Sequence, residues 1–187
     1  MSNLIPVELP KAYRLLNHGP TVLVSSAHAG RINVMSAAWS MPLDFDPPKV
    51  AVVIDKGTYT RALIEASGEF VLNVPSSAQA ALTVAVGSAS GRDADKFAEH
   101  GIATLPASRV AAPLVDGCLA WLECRVLPES HIQNTYDLFL AEVVAAWADP
   151  DVFADGHWKD EQGGKRSIHY IAGGQFFETG APVGITK

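Results

Sequence analysis

The chain is predicted to be mainly β with a few inserted helices, folded as an antiparallel barrel or sandwich. Short apolar, β-branched runs recur between turn residues. The helical patterns between them are too few and too short for a doubly wound parallel sheet, which alternates strands with helices of about 10–15 residues. The composition, 48% apolar and 18% charged over 187 residues, is ordinary for a globular protein and sufficient for a core without disulfides. Residues 1–187 are expected to form a single domain, since domains run to about 100–200 residues.

Along the chain, Thr21–Ala27 (TVLVSSA) is β-branched and follows the Gly19-Pro20 breaker. His28–Arg31 reads as a turn and Ile32–Ser40 (INVMSAAWS) as the second strand of a hairpin. A Pro- and Asp-rich loop, MPLDFDPPK, leads to Val50–Asp55, an apolar run of buried-strand length. Thr58–Ser67 then reads as a helix stopped by Gly68, and Phe70–Val74 as a strand closed by Pro75. Ser76–Val86 is a second helix, with Ser76 or Ser77 as N-cap and Gly87 as stop. Ser90-Gly-Arg-Asp93 has the form of a capping box before a short helix, Ala94–His100, stopped by Gly101. Cys118–Val126 and Leu138–Trp147 are the two best strands, joined by a polar loop. Residues 149–166 form a polar, Gly-rich excursion, too hydrophilic over Asp149–Lys165 for core. Ser167–Phe177 is the last apolar segment, interrupted by Gly173-Gly174, and 178–187 is a tail.

Charge and cysteine content remove several function classes. Fourteen Lys and Arg against 20 Asp and Glu leave a net charge of −6 with no basic run. A grip on nucleic acid or an anionic membrane is therefore not expected. The uncharged stretch from Phe70 to Gly91 is broken by Asn73, Pro75, Gln79 and serines, unlike a spanning helix of about 20 apolar residues. The start, MSNLIPVELPKAYRLL, lacks a signal peptide's basic start and apolar core, so the expected location is the cytoplasm. Cys118 and Cys124 lie six apart on a predicted strand, facing one side. Without further ligands at metal spacing they are expected to be buried free thiols.

Neither a G-x-S-x-G elbow, a P-loop nor a G-x-G-x-x-G fingerprint occurs. The segment Asp55-Lys56-Gly57-Thr58-Tyr59-Thr60-Arg61 is more informative. A buried strand runs into a glycine and then into a helix with Thr58 as N-cap. The unpaired N–H groups of its first turn, two threonine hydroxyls and the nearby Lys56 and Arg61 would suit a phosphate monoester. An ordinary capped helix with surface cations has the same pattern. The second strand adds Asn33, Ser36, Ala37, Ala38, Trp39 and Ser40, whose small members would let a flat ligand approach the backbone, or allow tight packing against a helix or subunit.

The order of these segments is distinctive. NVMSAAW (33–39), Val50–Asp55, KGTYTR (56–61), EFVLNVP (69–75), SASGRDADKF (88–97), LFLAEVV (138–144) and Ile168–Phe177 follow one another. The set resembles the flavin reductase-like, FMN-binding split-barrel family, in its flavoredoxin-type branch, in register from about Gly19 to Phe177. The resemblance implies a six-stranded antiparallel Greek-key barrel, a homodimer, and one FMN per subunit near the dimer interface. It implies that Asn33–Ser40, including Ser36, Ala37, Ala38 and Trp39, line the flavin ring. The loop from Asp55 through Lys56, Thr58, Tyr59 and Thr60 would hold the phosphate, with Ser90, Gly91, Arg92 and Lys96 as a second phosphate-side element. It further implies NAD(P)H as electron donor and a redox partner protein or monooxygenase as acceptor. Many reductases of the family carry an Asp-His pair just before the strand matching Leu138–Val144 and a glycine within it. Here Thr135-Tyr136 and Ala141 stand there, a departure that bears on the hydride donor and not on FMN binding. Beside the reductase stand two alternatives: an electron carrier without NAD(P)H turnover, or a non-redox flavin- or haem-binding dimer. Tyr136, His157 and the 149–166 segment are further candidates for flavin contact.

Overall fold

The computed structural model describes residues 3–159 and 165–184. Its strands are β1 (Ile5–Pro6), β2 (Val22–His28), β3 (Arg31–Ala37), β4 (Ser40–Phe45), β5 (Pro48–Val53) and β6 (Glu69–Val74). A small ribbon, β7 (Thr104–Leu105) with β8 (Leu114–Val115), precedes β9 (Ala120–Val126) and β10 (Leu138–Ala148). Two hairpins follow, β11 (Phe153–Ala154) with β12 (His157–Trp158), and β13 (Ile168–Ala172) with β14 (Gln175–Glu178). The helices are α1 (Tyr59–Ser67), α2 (Ala80–Ser88), α3 (Lys96–Glu99) and α4 (Ser130–Tyr136).

Among the described residues the main antiparallel sheet has eight strands, in the order β3-β2-β6-β9-β10-β5-β4 with β1 added on β10. The mainly β class is as expected; the count is eight rather than six. The order also forces closure. β3 and β4 are the two ends of the path, yet only Ala38 and Trp39 separate them in the chain. Flat, the seven-strand path would hold those ends about 29 Å apart at about 4.8 Å per strand. Three Cα steps reach only about 11 Å. The sheet therefore curls until its edges nearly meet, leaving a seam at Ala38-Trp39.

Central strands bury both faces. Val22 and Val24 of β2, with Phe70, Leu72 and Val74 of β6, enter the barrel core with Val52, Leu122 and Phe139. Leu23 and Val71 point the other way, into a second cluster with Val34, Val86, Phe97, Leu114 and Trp121. This two-sided burial explains runs that are continuously apolar rather than alternating.

Several expectations are corrected. The strand expected over Ile32–Ser40 is two strands, broken at Ala38-Trp39. The stretch expected as a loop after it is β4 and the start of β5. Pro42 is tolerated there because β4 is an edge strand. Ser76 does cap the second helical segment, in a capping box with Gln79, but Gly87 lies inside α2. The Ser90–Asp93 capping box is absent: Asp95 caps α3, accepting from the N–H groups of Phe97 (3.0 Å) and Ala98 (3.2 Å). The polar loop before β10 contains α4. Cys118 and Cys124 do not share a face, since Cys118 lies in the second cluster and Cys124 in the barrel core. Both are free and buried, and burial pushes both thiols above their ordinary range. The 149–166 excursion is not wholly outside the core, because Val152 and Phe153 are buried in it. Its residues 160–164, and 185–187 of the tail, lie outside the described residues.

A buried carboxylate and a half-buried imidazole anchor the excursions. Glu123 is completely buried on β9. Its carboxylate accepts from Ser108 N (3.0 Å), the Ser108 hydroxyl (3.0 Å), Arg109 N (2.5 Å) and Trp147 Nε1 (2.8 Å). His18 stacks edge-on with Trp158, ring centroids 5.1 Å apart, and its Nε2 lies 2.9 Å from the Ser167 hydroxyl. Burial, and secondarily the neighbouring His169, lowers its pKa from 6.5 to about 4. The folded form thus favours the neutral ring, while the unfolded chain protonates near 6.5. The stability this group contributes is complete above about pH 6.5 and is lost as pH falls towards 4. It is worth about 2 kcal/mol once the ring's partial exposure is allowed for. Denaturant titrations at pH 7 and 4.5 should show an acid loss that His18→Asn reduces by that amount; an equal loss in the variant would refute it.

Candidate functional site

β5 delivers the chain to a turn built by Asp55. Its Oδ1 accepts from Gly57 N (2.7 Å), and its carbonyl accepts from the amide (3.0 Å) and hydroxyl (2.8 Å) of Thr58. Thr58 then caps α1, its Oγ1 accepting from Arg61 N at 3.2 Å. The N–H groups of Tyr59 and Thr60 open the helix without intrahelical acceptors, at its positive end.

Two glycines let the α2–α3 segment press onto β3. A Cβ on Gly91 would fall 2.1 Å from Asn33 Oδ1 and 2.9 Å from Tyr59 Cδ1. One on Gly87 would fall 2.2 Å from Ser36 Oγ. Asn33 Nδ2 donates to Thr60 Oγ1 at 2.8 Å, joining β3 to the first turn of α1. Lys96 is 3% exposed and donates to the carbonyls of Val34 (2.9 Å) and Val86 (2.6 Å). It has no carboxylate partner among the described residues, and burial lowers its pKa.

These elements enclose a trough in three segments. The middle one, about 320 Å³, lies between Asn33 and Ser36, the Thr58–Thr60 turn, Gly87–Gly91 and Lys96. It shares Ser36 and Ser88 with a segment of about 300 Å³ at the barrel seam, lined by Thr21, Ala38, Thr83, Tyr170 and Phe176. It shares Tyr59 and Gly91 with an outer segment of about 350 Å³, lined by Arg31, Ile32, Arg92 and Asp93. The middle is rich in donors and cationic; the seam end combines apolar side chains with hydroxyls. Such a gradient suits a flat ring carrying an anionic tail.

The sequence candidates divide accordingly. Asn33, Ser36, Thr58, Tyr59, Thr60, Ser90, Gly91 and Lys96 line the middle segment, and Ala38 lines the seam. Arg92 lines the outer segment and clamps the turn, donating to the carbonyls of Gly57 (2.7 Å) and Thr58 (3.4 Å). Ala37 packs into the core instead. Asp55 builds the turn, while Lys56 is exposed and lines none of the three segments. Trp39 is 75% exposed on the surface, and Ser40 starts β4 with its hydroxyl buried and unpaired. Arg61 turns away from the trough: it pairs with Glu65 and Asp137 and lies over the Phe139 ring. Tyr136 is exposed at the end of α4. His157 Nε2 sits 3.1 Å from Arg14 Nη1, and Trp158 Nε1 donates to the Arg14 carbonyl at 2.9 Å. Residues 149–159 thus pack on the Leu9–Leu15 segment rather than over the trough. Thr21, Thr83, Tyr170 and Phe176 were not anticipated; an apolar hairpin around Gly173-Gly174 with no core to enter was the signal for the last two. Among the described residues no group of three or more His, Cys, Asp or Glu could hold a metal ion.

Residues 14–165 match the model of the flavin reductase like domain. The chain is 48% identical over 186 residues to the uncharacterized protein YddH of Escherichia coli K12, covering 98% of each. It is 30% identical over 137 residues to the reductase subunit HsaB of a flavin-dependent monooxygenase from Mycobacterium tuberculosis, covering 64% of this chain and 70% of that one. A crystal structure of an FMN-binding domain of a flavin reductases-like enzyme from Shewanella baltica OS155 superposes with a TM-score of 0.95 at 52% identity, covering 99% and 98%. Flavoredoxin of Desulfovibrio vulgaris superposes with a TM-score of 0.78 at 25% identity, covering 89% and 90%.

Proposed function

Since the chain belongs to the flavin reductase like domain family, we propose that it is a flavoprotein oxidoreductase, one domain over 1–187. It holds FMN in the trough, draws electrons from NAD(P)H and passes them to an acceptor or a partner monooxygenase. The observation that carries this is Lys96, a buried cation with no carboxylate partner among the described residues, in the same wall as the open first turn of α1.

The residues fit an FMN in charge and shape. The Tyr59 and Thr60 N–H groups, the Thr58 and Thr60 hydroxyls and Ser90 would bind its phosphate, with Lys96 supplying charge from behind. The backbone of β3 around Ser36 and Ala38 would face its ring, and Thr21, Tyr170 and Phe176 would exclude water at the seam. When bound, FMN supplies hydride- and electron-accepting chemistry that the side chains lining the trough do not. The likeness to an FMN-binding domain and to a monooxygenase's reductase subunit supports binding and onward transfer.

A second function, electron carriage without NAD(P)H turnover, is favoured by Thr135-Tyr136 and Ala141 where many reductases have Asp-His and glycine. The test is the visible spectrum after FMN addition and desalting, then anaerobic NADH and NADPH. Retained flavin that bleaches supports the reductase. Retained flavin that stays oxidised selects the carrier, and a colourless protein overturns both.

We further infer a homodimer built on β4. This sheet-end strand presents Met41, Leu43 and Phe45, 53%, 45% and 64% exposed, beside Trp39. Such a row on a strand edge calls for a partner. Light scattering should give twice the chain mass, falling to the monomer for Leu43→Lys/Phe45→Lys; a monomeric wild type would refute it.

A further inference from the structure

A separate cavity of about 290 Å³ lies between His18, the end of β12 and the base of the β13–β14 hairpin, and shares no lining residue with the three segments of the trough. We propose that this cavity is a second ligand site, one that takes a small planar carboxylate of the aryl-acid class. Its chemistry is independent of whether the trough holds a flavin.

The chain as a whole carries a net charge of −6, yet this lining holds Lys159 and Arg166 and no carboxylate. Neither cation joins an ion pair among the described residues. Arg166 donates from Nη1 to the Thr179 carbonyl at 2.8 Å. That bond fixes the guanidinium and leaves its Nε–Nη2 edge without an acceptor among the described residues. Two parallel N–H groups on one edge are the geometry that grips a carboxylate bidentately. Lys159 donates to the Pro150 carbonyl and keeps two further N–H groups. Asp151 feels its charge but bonds to Lys165 instead, at 2.8 Å. The wall beside Arg166 is rigid: His18 Nε2 lies 2.9 Å from the Ser167 hydroxyl, which bonds in turn to the Thr179 hydroxyl. Such a wall is set before a ligand arrives, so less entropy is lost on binding. Trp158, Ala181 and Pro182 supply the apolar side. The indole is held by its bond to the Arg14 carbonyl and by edge-on contacts with His18 and Phe153. An aromatic ring against Trp158 with its carboxylate at Arg166 would use both sides. The volume lies at the small end of ligand pockets, which begin at about 300 Å³.

Benzoate is the probe, with benzamide as its uncharged counterpart and inorganic phosphate as a non-planar anion. The full chain is titrated with each by calorimetry, with and without saturating FMN. Benzoate should bind with a Kd of about 1 mM or tighter, equally in both states. Benzamide should bind at least about 30-fold more weakly, for want of the charge-assisted pair. Arg166→Gln should weaken benzoate at least about tenfold. Lys159→Gln should weaken it about threefold, and because Lys159 is exposed this variant removes charge without touching the core. The proposal is overturned if benzoate does not saturate, if benzamide matches it, or if neither variant changes its affinity. Phosphate binding as tightly as benzoate would make the cavity a general anion site and overturn the ligand class. Displacement of benzoate by FMN would put the acid in the trough and overturn the second site. If FMN itself fails to bind, the flavin reading falls while the benzoate result still decides this one.

Discussion

Glu123→Ala is expected to lower the free energy of unfolding by about 3–5 kcal/mol. The carboxylate is fully buried, and its acceptor capacity is met by two backbone amides, a hydroxyl and the Trp147 indole. No lysine or arginine pairs with it among the described residues, so the charge is stabilised by oriented dipoles alone. Removing it strands the amides of Ser108 and Arg109 and the indole N–H, each costing about 1–3 kcal/mol if water cannot reach it. Glu123→Gln should lose less, about 2 kcal/mol, because one oxygen still accepts while the new NH2 opposes donors. Urea titration gives the answer: a lower midpoint at unchanged slope is expected. A loss below about 1 kcal/mol would mean that the strand-to-loop anchorage relaxes freely.

Lys96→Met should weaken FMN binding by at least about 30-fold while leaving riboflavin within about threefold. A charge-assisted contact to phosphate is worth about 2 kcal/mol, and riboflavin has no phosphate to lose it. The variant also deprives the Val34 and Val86 carbonyls of their donor, a cost of about 1–2 kcal/mol in stability. That cost would disturb both ligands alike, so the FMN-to-riboflavin ratio separates a charge effect from a packing effect. Equal losses for the two flavins would refute the charge role.

What was legible in the sequence was local. Thr58 as cap and Gly68 as stop of α1 depend on contacts within a few residues, and both stand as expected. β4 has the sequence of a loop, because Pro42 and Asp44 suggest turns. The alternation of Met41, Leu43 and Phe45 is the stronger signal, and an edge strand accommodates both the missing N–H of Pro42 and the charge of Asp44. Arg61 and Lys96 look alike in sequence as cations near a phosphate site. Of the two, Lys96 lines the trough, whereas Arg61 is paired with Asp137, far along the chain. Glu123 gave no sign of its role either, because its partners at 108, 109 and 147 come from other segments. At the trough, the middle segment was read from short-range motifs. The seam end was missed because Thr21, Thr83 and Tyr170 meet only after the sheet has closed.

The two-residue link from β3 to β4 also bears on the order of folding. The β2–β3 and β4–β5 hairpins are local and can form within microseconds. Joined by Ala38-Trp39, they are neighbours in the chain from the outset, yet they cannot pair with each other in the finished sheet. Between them must come β6, β9 and β10, drawn from residues 69–148. Completion therefore waits on long-range pairings, β2 with β6, β6 with β9 and β5 with β10, whose loop-closure entropy is offset only when all are in place. The seam end of the trough, where β3 passes into β4, is expected to be completed only after these pairings close the sheet. A ligand seated there would hold back unfolding more than it would hasten folding.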